Sequence, residues 1–537
     1  MTAKSFLNQN FDELKKKCLQ NKILFEDNTF PANKLSISNK TNDGESYIWK
    51  RPFELCPNPV FLVEENPSWF INQGQLGDCW LISGITGIST SQDCFNRIVP
   101  KEQNFVSDYA GIFKFKFWHF GEWVQVVVDD RLPVKNDKLV FCKNLKHPNE
   151  MYGPLLEKAY AKLNRCYFNL ISGEINDSLT DLTGGLHQNF NLKNITDQDQ
   201  LWMYTVRLLD CKSMAGCAID LPKDEKSELV LENKLKTGHT YAVLDTVEFE
   251  SLSNKSKTRL IKLRNPWGHE ISWTGKWAWN SQEWNDVPEN IKTKLNLISV
   301  DNNGQFYISF EDFLKYFNNL DFVHINPFIN DPECKEWHCE QFKGEWKAGL
   351  SAGGSFNSGK ESFFSNPKYL INCDQSDSVV ISLMQTDTLR IRERNGKLKG
   401  SREALGFHIY TLLNNDPVLT DSNLKFYSNS GEYVYKRELN RKFDLTPGRY
   451  VLVPTCFKKN ANMKYLLRIF SKSNETKTQQ LNLHYKAGSI VKSRVGHKQK
   501  IVKKSYINEA NRDKNKTIGM HLTKIDHEDF SEACAIM

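Results

Sequence analysis

The sequence predicts an α+β protein of several domains: a helix-rich first part, a strand-rich middle and a closing antiparallel β-sandwich. Three observations carry this. Apolar residues recur early at helical spacing, with Leu81, Ile85 and Ile88 at i, i+4 and i+7 and a second set at Leu155, Leu156, Ala159, Tyr160 and Leu163. Past residue 239 the pattern turns strand-like, over 240–249 and 259–264, with a polar loop at 250–258 between them. Beyond residue 337, short strand candidates at 379–384, 407–412, 450–453 and 465–470 alternate with turns such as Thr446-Pro447-Gly448, the signature of a sandwich.

Taken in order, residues 1–40 read as a polar lead-in with one helical patch near Phe11 to Leu19. Trp49, Pro52, Pro57, Pro59 and Pro67 suit an extended stretch over 41–72. A helix follows over 80–90. Phe113, Phe115 and Phe117 alternate with Lys114 and Lys116 at period two, and 123–128 is a short apolar run, so a pair of strands is expected. Thr183-Gly184-Gly185 breaks the chain and predicts a hinge between a helical unit, 41–185, and a β-rich unit, 186–330. Tryptophans crowd 267–284. Asn326-Pro327 to Asp331-Pro332 reads as a linker to the sandwich at 337–485, and 486–537 is a basic tail with an acidic patch at 526–532. No internal repeat is found.

Composition bounds the class. The 537 residues suffice for about three or four domains. With 33 Phe, 18 Tyr and 13 Trp the chain can fill several cores, which excludes a mostly disordered protein. A formal charge of +7 is small for this length and does not point to nucleic acid. The 13 cysteines are odd in number and scattered, with no recurring CxxC and no Cys/His spacing for zinc. The opening is polar, with Lys15-Lys16-Lys17, and no apolar run is long enough for a bilayer. The expectation is a cytoplasmic chain with free thiols.

The chemistry gathers at Gln73-Gly74-Gln75-Leu76-Gly77-Asp78-Cys79-Trp80. A Gly-broken loop delivers Cys79 to the start of the 80–90 helix. A helix N-terminus favours the thiolate, and the thiolate is the nucleophile. A hairpin centred near Leu252 would set His239 opposite Asn265, Tyr241 opposite Leu263 and Val243 opposite Ile261. The Asn265 amide would then orient the His239 ring, and the other ring nitrogen would take a proton from a thiol, a papain-type triad. Gln73 is the candidate oxyanion donor. Taken singly, each has a plainer reading: an inert buried thiol, a capped histidine, an Asn-Pro turn. The loop context, the hairpin symmetry and the order Cys, His, Asn favour catalysis.

Here the chain resembles the calpain family. Gly74-Gln75-Leu76-Gly77-Asp78-Cys79-Trp80-Leu81, Lys236-Thr237-Gly238-His239-Thr240-Tyr241 and Arg264-Asn265-Pro266-Trp267-Gly268 are similar to its three catalytic motifs. Supporting stretches are Tyr109 to Phe113, Gly121 to Val124 and Leu156 to Lys162, and the resemblance runs from about residue 45 to 485. It implies a two-lobed papain-like protease core, a C2-like sandwich, and limited cleavage of intracellular proteins. It makes Cys79 the nucleophile, His239 the base, Asn265 the orienter and Gln73 the oxyanion donor; Trp267 would shield the pair and Trp80 would line the cleft.

The resemblance also implies two core calcium ions, and here the residues depart from it. Glu150 falls at one ligand position, but Phe70, Ser272, Trp279, Asn303 and Gln305 stand where oxygen-rich partners are expected, and an inter-lobe Arg–Glu pair falls at Ser68 and Gln305. No cofactor is expected to be required, and calcium binding is expected to be weak or absent. The acidic loop of the C2-like region is short at Asn372 to Asp377, and no EF-hand pattern follows residue 485. Cys534-Ala535-Ile536-Met537 fits a farnesylation motif, for which Lys492, Arg494, Lys498, Lys500, Lys503 and Lys504 offer a second membrane signal. The expected partners are protein substrates and a membrane surface, with no nucleic acid. A scaffold that kept the fold without cutting, and acyl transfer to amines, are the rival readings.

Overall fold

The computed structural model describes residues 3–38, 47–63, 70–222, 225, 228–268, 273–295, 304–325, 337–386, 391–392, 398–399, 402–414, 416, 418–481, 485 and 501–502. The linker at 326–332, Ser68, Ser272, Asn303, the basic tail lysines and the Cys534 motif lie outside the described residues.

The first core forms around the helix Cys79–Ile88, all ten of whose residues are buried. A helix apolar on every side must be enclosed on every side. The helix Ile175–Thr183 packs along it, with Ser178 Oγ donating to the Trp80 carbonyl at 2.9 Å. The hairpin Ile112–His119 and Glu122–Asp129 closes another side, with Phe113, Phe115 and Phe117 turned into the same apolar cluster as Leu81 and Ile85. Helix Tyr152–Leu163 is wholly buried although it carries Glu157, Lys158 and Lys162. Its lysines are satisfied internally: Lys158 Nζ reaches Asp129 and Lys162 Nζ reaches Asp27, each at 2.6 Å.

The second core is built on a six-stranded antiparallel sheet, ordered Gln305–Ser309, Lys257–Arg264, His239–Glu250, Met214–Ile219, Asn319–His324, Leu186–Asn191. Helices Gln198–Asp210 and Phe310–Tyr316 contribute Leu201, Trp202, Phe310 and Phe313 to its apolar cluster. The chain passes between the two cores at Gly184, which caps the helix Ile175–Thr183 in the left-handed region at φ 75.

The hairpin register differs from the sequence expectation. Val243 pairs with Leu263, not Ile261, and His239 pairs with Ile219 on its other side. The turn lies further along than Leu252, and a bulge between Val243 and Asp245 absorbs a residue. Near His239 the slip is two residues, so each side chain keeps its face. Both strands are longer than expected, while the helix ends at Ile88 rather than residue 90.

Past residue 337 two antiparallel sheets face each other. One orders His338–Trp346, Met463–Ser471, Asp377–Gln385, Glu438–Leu445; the other is built on Lys477–Leu481, Lys368–Cys373, Gly448–Cys456, Leu405–Leu412. Tyr369, Ile381, Phe407, Leu452 and Tyr465 fill the space between them. Among the described residues no helix is long and apolar enough to cross a membrane.

Candidate active site

The loop before Cys79 is held by backbone contacts that only glycine permits. A Cβ at Gly74 would lie 2.2 Å from the Phe141 carbonyl oxygen and 2.3 Å from that of Val140. Gln75 N–H donates to the Val140 carbonyl at 2.9 Å, and Ser172 N–H donates to that of Gly77, also at 2.9 Å. These contacts seat Cys79 as the first residue of its helix. Beneath it lies an unusual charge arrangement. Asp78 is fully buried, and its carboxyl group lies against that of Glu157. Burial pushes its carboxyl up to about 7, and burial together with Asp78 pushes Glu157 well above the carboxylate range. The two acids therefore keep at least one proton between them at neutral pH.

The second core presents His239 at the start of its strand and Asn265 just past the end of the neighbouring one. His239 Nε2 lies 3.0 Å from Asn265 Oδ1. Trp267 N–H also points at that Oδ1, at 3.0 Å, so the atom is an acceptor twice over and Nε2 must carry its hydrogen. The other ring nitrogen, Nδ1, is buried and turned away from Asn265. It faces Cys79 and Glu228: one donor atom of each of the three residues lies within 4.8 Å of the other two. Burial alone would lower the ring's pKa, but the Cys79 sulfur and the Glu228 carboxylate outweigh it and hold the imidazole up at about 9.

Gln73 and Trp267 join the two cores. Gln73 N–H donates to the Pro266 carbonyl at 2.9 Å, and Trp267 Nε1 donates to Gln73 Oε1 at 3.0 Å. Gln73 Nε2 donates to the Leu76 carbonyl at 2.5 Å. The Trp267 ring stands edge-on to His239 with centroids 5.8 Å apart. Arg264, itself buried, reaches across with Nη1 on Thr86 Oγ1 at 3.0 Å and Nη2 on the Ile71 carbonyl at 2.5 Å. Ser83 Oγ adds a bond to the Thr240 carbonyl at 3.1 Å. The helix of Cys79 is thus fastened directly to the strands that hold His239 and Asn265.

Residues 25–324 match the model of the calpain family cysteine protease, and residues 342–470 match that of domain III of the calpain large subunit. The chain belongs to the calpain family of cysteine proteases. Calpain-8 of Rattus norvegicus is 35% identical over 495 residues, covering 87% of this chain and 69% of that protein. The calpain-2 catalytic subunit of Homo sapiens is 35% identical over 496 residues with the same coverage, 87% and 69%. A solved clostridial cysteine protease covers 55% of this chain and 58% of its own at 11% identity and a TM-score of 0.17, which carries no argument.

One position of this calpain-family chain differs from expectation, and one was not anticipated. Trp80 does not line a cleft: it is 2% exposed, lies edge-on to Tyr160 and donates Nε1–H to the Leu170 carbonyl at 2.8 Å. Being the second residue of a wholly buried helix, its side chain turns inward. Glu228 is the residue that the sequence did not single out. It lies between two strands in a charged loop with no periodicity, and nothing in its local pattern sets it apart from Glu225 or Glu232. Its Oε1 lies 3.6 Å from His239 Nδ1, and its Oε2 is paired with Lys236, whose ammonium stands over the Trp267 ring.

At the positions where the resemblance implied calcium ligands, Glu150 is buried with both carboxylate oxygens engaged. Val63 N–H donates to Oε1 at 2.7 Å and Asn144 Nδ2 to Oε2 at 2.6 Å. The Lys146 ammonium stands over the Phe70 ring at 4.2 Å from its centroid. Trp279 packs in an apolar cluster with Trp277 and Trp284 and spends its Nε1–H on the Gln305 carbonyl at 2.7 Å.

Proposed function

We propose that the two cores are the lobes of a papain-like protease and that the chain cleaves proteins through Cys79, His239 and Asn265. The observation that carries this reading is the His239 ring, with Nε2 fixed on Asn265 and Nδ1 turned to Cys79 at a helix N-terminus. In the first step the Cys79 thiolate attacks the scissile carbonyl and the negative charge moves to its oxygen. Gln73 has two amide hydrogens and commits one to Leu76, so the other is free for that oxyanion. The protonated Nδ1 then gives its hydrogen to the leaving amine and an acyl-enzyme remains. Nδ1, now a base, takes a proton from water, and the resulting hydroxide releases the acid and restores the thiolate. Asn265 keeps the ring in the one tautomer that serves both steps, and Trp267 covers the bond between them. Replacing Cys79 by Ala should abolish hydrolysis of a denatured protein substrate while circular dichroism stays unchanged. Hydrolysis equal to that of the unaltered chain overturns the assignment.

Calcium is not needed in this reading. A buried carboxylate whose oxygens already accept two hydrogen bonds offers a hard cation little. The full chain should cut equally well in chelator and in micromolar calcium. A steep rise in activity with calcium would refute this.

A further inference from the structure

The side of His239 away from Asn265 presents a set of donors that the protease reading does not use together. Cys79 Sγ, His239 Nδ1 and a Glu228 carboxylate oxygen lie within 4.8 Å of one another. Around a tetrahedral zinc ion, with bonds of about 2.0–2.3 Å, neighbouring donor atoms stand roughly 3.3–3.7 Å apart. The His239–Glu228 separation, 3.6 Å, already falls in that range. Each donor is also oriented from behind. Asn265 accepts the Nε2 hydrogen, which aims Nδ1 at the cluster. Lys236 holds Glu228 Oε2, which leaves Oε1 facing the ring. Such outer partners are what metal-binding histidines and carboxylates ordinarily have. Nδ1 itself, on a residue 1% exposed, faces only the other two members of the set, Cys79 and Glu228, among the described residues. The Glu228 side chain keeps 30% of its surface open, which gives an ion a way in.

We propose that Cys79, His239 and Glu228 form a binding site for one zinc ion, with a water as fourth ligand, and that its occupation silences the nucleophile. A thiolate, an imidazole and one carboxylate suit zinc and cobalt(II); calcium and magnesium prefer oxygen alone. Coordination takes the Cys79 lone pair that would attack a carbonyl and the Nδ1 position that would carry the proton. The proton shared by Cys79 and Nδ1 leaves to solvent as the ion enters, and no redox change occurs. The site does not depend on the catalytic assignment, because binding is measured without substrate.

The test uses the metal-free full chain. Cobalt(II) should give a near-ultraviolet sulfur-to-metal charge-transfer band with intense visible bands of a four-coordinate ion, and Cys79→Ala should remove that increment. Zinc, titrated against a chromogenic chelator, should bind Glu228→Gln at least about tenfold more weakly than the unaltered chain. Zinc should also protect Cys79 from an alkylating agent in the unaltered chain, and calcium should not. A charge-transfer band that persists in Cys79→Ala, or a zinc affinity untouched by Glu228→Gln in a normally folded variant, overturns the site. Loss of the protease reading would leave these outcomes unaffected, since none of them measures hydrolysis.

Discussion

His239 stands between two groups that favour its charged form, Cys79 and Glu228, and one that fixes its orientation, Asn265. A pKa raised from the ordinary 6.5 to about 9 means the imidazolium is preferred in the folded state, against a burial effect of opposite sign. Its stabilisation is fully present below the unfolded value and is lost as pH rises through about 9. The alkaline limb of kcat/KM should therefore fall near pH 9, and Glu228→Gln should move it toward neutrality, read from pH profiles of both proteins. An unmoved limb would show that Glu228 does not act on the ring. Asn265→Ala frees the ring to take the wrong tautomer and should lower kcat by about 10²-fold or more with KM little changed. The sequence made the meeting of Cys79, His239 and Asn265 legible because each stands in a recognisable local setting, a Gly-broken loop before a helix, a strand start and a strand end. Glu228 was not legible: its place is set by Lys236 and by how a loop crosses the sheet, and a carboxylate in a charged loop carries no pattern.

At the scale of elements, the helix Cys79–Ile88 works because two helices approach closely. A Cβ on Gly84 would lie 2.4 Å from Ser178 Oγ and 3.1 Å from its Cβ, so a larger residue pushes the helix Ile175–Thr183 away. Gly84→Val should lower stability by about 1–3 kcal/mol in urea unfolding, the ordinary cost of overfilling a packed core. It should slow alkylation or turnover at Cys79 as well, because the same helix carries the thiol. Helix and strand types were readable from periodicity, and the alternating Phe113, Phe115 and Phe117 do line the first core. The pairing register was not. A symmetric hairpin was the simplest construction on sequence, whereas the pairing with Lys257–Arg264 carries a bulge between Val243 and Asp245 that no local pattern announces.

For the whole molecule, the sandwich is joined to the protease core by buried arginines. Arg437 pairs with Asp181, Arg402 with Asp177 at 2.7 Å, and Arg468 donates to the Gly184 and Gly185 carbonyls at 2.7 and 3.1 Å. The segment read as a hinge is therefore clasped from outside by a strand of the sandwich. Arg437→Met leaves the Asp181 carboxylate buried without its cation and should cost about 3–5 kcal/mol by denaturant titration. The double change with Asp181→Asn should recover much of that loss; a double mutant as weak as the single would mean the guanidinium matters for packing alone. None of these arginines is conspicuous in sequence, since the acids and carbonyls of the protease core that they meet lie more than 200 residues away.

Asp177 and Asp181 lie on the same nine-residue helix whose Ser178 touches Trp80. A minimal protease made by trimming the chain after residue 325 would strip two carboxylates of their counterions on the very helix that braces the thiol. Engineers who want a compact cutter from this scaffold should expect to neutralise both acids first, or to keep the sandwich as a built-in splint.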